Sequence, residues 1–140
     1  MLAKEMKILF VLYGEEQRHR GLIANRVIKL GYVNKSHVYT DISYEKDTHS
    51  LAWKKSNGVS ALVEVTDLID PETKSVQIRQ KLSLNFDIVL PLHVKSDTSL
   101  IKIDDDTFRQ EIEYGVSLSN PRVSEEEKIR LLLSRKKKLK

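Results

Sequence analysis

Two rhythms of apolar and polar positions run along this chain, and they predict its elements in order. Lys7-Ile8-Leu9-Phe10-Val11-Leu12-Tyr13 is a continuous apolar run closed by Gly14, the pattern of a strand covered on both faces. From Glu15 to Leu30 the spacing lengthens. Leu22, Ile23, Val27, Ile28 and Leu30 share one helical face, while Glu15, Glu16, Arg18, Arg20, Asn25, Arg26 and Lys29 form the polar one, and Gly31 supplies a stop. Ser36 to Tyr44 alternates loosely and predicts a strand. Leu51 to Lys55 reads as a short strand turned by Asn57-Gly58 into a second one over Val59 to Thr66. Asp70-Pro71 opens a helix that runs to about Asn85, because Asp caps free amides and Pro fits a first turn. Phe86 to Val94 is another covered strand. Its Pro91 donates no ladder hydrogen bond and so implies an edge, a bulge or an early end. Residues 100 to 118 carry no clear period. Ser124-Glu125-Glu126-Glu127 has capping-box spacing ahead of Ile129, Leu131, Leu132 and Leu133, which predicts a final helix.

Strand, helix, strand, hairpin strand, helix, strand and terminal helix make an α/β chain: a mixed β-sheet flanked by helices, with a C-terminal helix. Its 140 residues suffice for one core, so residues 1–120 are expected to form one α/β domain and residues 121–140 a helix with a basic tail. No run approaches the roughly 20 apolar residues of a membrane helix. The start, Met1 to Glu5, lacks the pattern of a secretory signal, so no membrane partner and a cytoplasmic location are expected. The absence of cysteine excludes disulfides, thiolate catalysis and sulfur-bound zinc, leaving oxygen to hold any metal. Net charge is +4, but Arg135, Lys136, Lys137, Lys138 and Lys140 supply five positive charges and leave residues 1–134 at −1. Such a basic end attracts nucleic-acid phosphates through counterion release and equally suits a solubilising tail. The terminal helix is also where a homodimer or a protein partner is expected to dock.

Two carboxylates stand out. Asp41 lies in Tyr39-Thr40-Asp41-Ile42, and Glu64 interrupts the apolar run Ala61-Leu62-Val63-Glu64-Val65. A buried carboxylate must meet a cation, a hydrogen-bond network or a cleft. If their strands are neighbours, the two acids can share one divalent ion, Mg²⁺ or Mn²⁺, which activates water and neutralises a phosphodiester. The plainer alternative is a strand-end Glu64 paired with Lys or Arg and a solvent-facing Asp41.

The order of these elements, with an acid on one strand and another on the hairpin strand, resembles the core of the restriction-endonuclease-like, PD-(D/E)XK, nucleases over roughly residues 15 to 95. The resemblance implies a metal-dependent nuclease acting on DNA or RNA. Asp41 then matches the first acid, Glu64 the second and Glu16 the assisting helix glutamate, although Glu16 and Arg20 also suit an exposed ion pair four residues apart. Thr66 stands where the family has its catalytic lysine. Either Arg79 or Lys81 takes over that charge, or the scaffold binds nucleic acid or protein without cutting.

Other constellations compete. His37-Val38-Tyr39-Thr40 and His93-Val94-Lys95-Ser96 are similar to the motifs of two-histidine phosphoesterases, which would set His37, Thr40, His93 and Ser96 around a phosphate. Lys7 to Gly14 followed by Arg18 resembles the phosphate loop of low-molecular-weight tyrosine phosphatases, with Leu12 in the place of the nucleophilic cysteine. Asp104-Asp105-Asp106 reads as a solvated turn, and Trp53 with Lys54-Lys55 as a core cover or a stacking platform for single strands.

Overall fold

A computed structural model describes residues 5–14, 16–44, 56, 58–68, 86–95, 99–120 and 122–138. Strand β1 (Ile8–Tyr13) leads to helix α1 (Gln17–Lys29), and a single 3₁₀ turn (Lys35–His37) precedes β2 (Val38–Ile42). β3 (Ala61–Val65) and β4 (Ile88–His93) follow, then α2 (Ser99–Lys102), α3 (Asp105–Ser119) and α4 (Glu125–Lys138).

The described strands form one sheet of order β2-β3-β1-β4, and every pair in it is parallel. This corrects the mixed sheet. β3 has β2 on one side and β1 on the other, and the strand expected over Leu51 to Lys55 lies outside the described residues. The tight turn itself is present: Ser56 O accepts the Val59 amide at 3.1 Å, with Gly58 at φ 84°. The helix expected from Asp70 to Asn85 also falls outside the described residues.

β1 is apolar throughout because it is buried on both faces. Toward one face, Phe10, Leu12, Leu62, Ile88 and Leu90 pack with Ile23, Ala24 and Val27 of α1 and with Phe108, Ile112 and Val116 of α3. Gly115 lets α3 settle close to the sheet, since a Cβ there would lie 2.9 Å from Leu90 Cδ1. Toward the other, Leu9, Val11, Ala61, Val63, Val65 and Val89 pack with Ile42, Tyr44, Leu68 and Phe86. Gly31 ends α1 as the sequence predicts: at φ 86° its amide bonds Ile28 O at 3.0 Å and the Tyr32 amide bonds Val27 O at 3.2 Å.

Pro91 is accommodated at an edge. Ile88 N–H donates to Lys7 O and Val94 N–H to Tyr13 O, so the even-numbered amides of β4 face β1 and position 91 turns outward, where no ladder bond is lost. Ser124 caps α4 as the spacing predicts, its Oγ accepting the Glu127 amide at 3.2 Å, while the Glu127 carboxylate pairs with Arg130 at 3.3 Å. The segment without a clear period turns out to contain the 15-residue α3. Asp104 accepts the Thr107 amide at 2.7 Å as its N-cap, so the three aspartates open a helix rather than a free turn.

Candidate functional site

In open parallel sheets the loops at the strands' carboxyl ends are the usual place for a ligand. Here that end is organised by Glu64. Strand alternation turns Glu64 to the same face as Leu62, against α1, where it is 2% exposed. Arg20 meets it there, 5% exposed, one turn before Ile23 and Ala24 on the buried stripe of α1. Arg20 Nε donates to Glu64 Oε1 at 2.8 Å, and its Nη1 donates to Gly14 O. One guanidinium thus neutralises the acid of β3 and ties down the loop leaving β1. Gly14 sits at φ 149°, and a Cβ there would lie 2.1 Å from Val94 O, so only glycine lets the ends of β1 and β4 approach this closely.

Arg20 was expected on the polar face of α1 and is instead inside. The missed signal is its spacing: position 20 falls three, four and seven residues before Ile23, Ala24 and Val27, on their stripe. Glu16, the expected partner of Arg20, lies at the exposed start of α1, with Oε2 3.0 Å from His19 Nδ1.

β2 does run beside β3. Tyr39 aligns with Val63 and Ile42 with Val65, so a bulge sets two residues, Thr40 and Asp41, across from the one position of Glu64. Both are exposed, and Asp41 adopts φ 57°, in the left-handed region. The two acids are therefore neighbours in register but differ in setting, one paired and buried, the other in solvent. Among the described residues no three carboxylate or imidazole groups come together in a way that could hold a metal ion. A divalent ion would have to displace Arg20 from Glu64, so the donor set does not fit the ion implied by the nuclease resemblance. The acid that joins β2 to β3 is Asp67, which accepts Ser43 Oγ–H and the Tyr44 amide, each at 2.8 Å.

The two-histidine constellation is not assembled. His37 precedes β2 at the amino end of one edge strand, whereas His93 closes β4 at the carboxyl end of the other, stacked on Tyr13 at 4.7 Å between ring centroids. Ser96, Arg79, Lys81 and Trp53 lie outside the described residues. Arg135, Lys136, Lys137 and Lys138 form the last turn of α4. The acids opening α3 are also engaged: Asp105 with Arg26 at 3.1 Å and Asp106 with Arg109 at 3.1 Å. Arg26 further donates to Leu100 O at 2.9 Å and to Ile103 O, and lies 4.8 Å from the Phe108 ring centroid, so the charged groups lining the depression between α1 and α2, Arg26, Lys29 and Asp105, are paired with one another.

Among the described residues, Leu22 and Val59 are singly exposed apolar side chains, and the exposed apolar residues that cluster are on α4. Lys128 and Leu131 are partly covered, but Ile129, Leu132 and Leu133 are 55%, 46% and 55% exposed, a contiguous apolar row on a helix ending in four cations. No described helix is long and apolar enough to cross a membrane. No protein family, characterised protein or solved structure gives a match to this chain.

Proposed function

We propose that this chain is a non-catalytic protein-binding domain, a rigid parallel α/β body that presents α4 as its docking element. The observation that carries this reading is the exposed row Ile129, Leu132 and Leu133. Leucine and isoleucine side chains left about half in water at helical spacing forfeit part of the about 1.5–3 kcal/mol that full burial of each would give, which a partner surface recovers. The Arg20–Glu64 pair supports the non-catalytic half, because the acid that would hold a metal is already balanced by a cation of the same chain.

The test is a cleavage assay of the full chain on single- and double-stranded DNA and RNA with Mg²⁺ or Mn²⁺, beside Asp41→Ala. No cleavage is expected from either. Metal-dependent cleavage lost in Asp41→Ala would overturn the reading in favour of a nuclease. In a parallel binding titration, DNA or RNA retention that falls steeply with salt but is unchanged by Leu132→Asp would assign α4 to nucleic acid instead.

A further inference from the structure

We infer that the partner of α4 is a second copy of this chain, paired through an antiparallel contact of two α4 helices about a two-fold axis. The inference rests on the reading of α4 as a docking element and adds the identity of what docks. At about 100° per residue, positions 125, 129, 132 and 136 fall on one stripe of roughly 60° of arc, with Leu133 beside it. The middle of that stripe, Ile129 and Leu132, is exposed and apolar. Its amino-terminal end is Glu125, within the acidic first turn Glu125-Glu126-Glu127, and its carboxyl-terminal end is position 136, within Arg135-Lys136-Lys137-Lys138.

That layout is complementary to itself in one orientation only. With the axis between residues 130 and 131, Ile129 of one copy lies opposite the partner's Leu132, and Glu125 lies opposite the partner's Lys136; the symmetry makes each contact twice. The helix dipoles then also oppose favourably. A parallel pairing would set three glutamates against three glutamates and four cations against four cations. A uniformly acidic surface, such as nucleic acid or an anionic bilayer, would match one end of the helix and be repelled by the other. Opposite charge at the two ends of an apolar row calls for a partner with the same order reversed, and a second α4 supplies it. A helix of 14 residues is about 21 Å long. The contact is therefore smaller than a standard specific interface of roughly 1,600 Å², and the dimer should be reversible with concentration.

Sedimentation equilibrium of the full chain across a concentration series tests this. The mass is expected to rise from 16.2 kDa toward twice that value. Leu132→Asp should weaken self-association about tenfold or more while leaving the circular dichroism of dilute protein unchanged. Glu125→Lys should weaken it as well, and Glu125→Lys combined with Lys136→Glu should restore it. Because the chain has no cysteine, single thiols report the geometry. A mixture of Ile129→Cys and Leu132→Cys should oxidise to a mixed disulfide faster than either variant alone. A chain that stays monomeric at every concentration, or faster cross-linking within Ile129→Cys alone, overturns the inference. A monomer that also fails to cleave nucleic acid leaves the protein-binding reading standing without it, whereas metal-dependent cleavage removes that reading itself.

Discussion

Helices α3 and α4 are consecutive and nearly equal in length, yet their apolar faces meet different fates. α3 places Phe108, Ile112 and Val116 at successive four-residue steps into the sheet. One of its opening acids reaches outward as well: Asp104 caps the helix itself, while Asp105 is held by Arg26 of α1. The described salt bridges of α4 lie within the helix, Glu125 with Lys128 at 3.9 Å and Glu127 with Arg130 at 3.3 Å, and its apolar row faces water. The difference teaches that amphipathic spacing announces a face that needs a cover without saying what the cover is. Cross-element polar contacts identify the helix that belongs to the body.

The contrast can be broken at its strongest point first. Phe108→Ala should cost about 3–5 kcal/mol in urea unfolding, since it empties a fully buried site between α3 and the sheet. Glu64→Ala should destabilise by about 3–5 kcal/mol in the same assay by stranding Arg20, and Arg20→Met with Glu64→Leu should recover most of that loss. Ser124→Ala removes only a cap from α4 and should cost about 1 kcal/mol or less, read as lost helicity. The hydrogen bonds from Thr107 hold the Asp104 carboxyl below its ordinary value. A depressed folded value means that its stabilisation is present above the ordinary carboxylate range and is lost as pH falls through the folded value. The protection of the Thr107 amide against exchange, taken relative to its intrinsic rate at each pH, should therefore fall in acid in the wild type, and this acid sensitivity should shrink in Asp104→Asn. Leu133→Ala should change the stability of dilute protein by no more than about 0.5 kcal/mol; a larger loss would place this face against the body.

Much of the fold was readable along the chain. The run that became β1 was uninterrupted and apolar, those of β3 and β4 were apolar apart from Glu64 and from Pro91 and His93, α1 ended at its glycine, and α4 began at its serine. The pairing of the strands was not readable. Whether β3 turns back on a hairpin or crosses to lie between β1 and β2 depends on contacts remote in sequence. α3 escaped because its buried residues are only three, four apart, among Gly115, Ser117 and Ser119, and because its aspartates look solvated until Arg26 is folded against them. At the candidate site Glu64 and Asp41 stood out by sequence alone. The cation facing Glu64 comes from 44 residues away, and the bulge at Asp41 has no local signature.

The two outer strands described in this sheet carry features that disfavour edge-to-edge strand pairing, which leaves α4 as the route of association. Pro91 leaves a gap in the outward amides of β4, and the bulge with its charged, left-handed Asp41 interrupts β2. Among the described strands, neither rim offers a regular row of donors and acceptors on which a foreign strand could template, which disfavours cross-β growth from a highly apolar sheet.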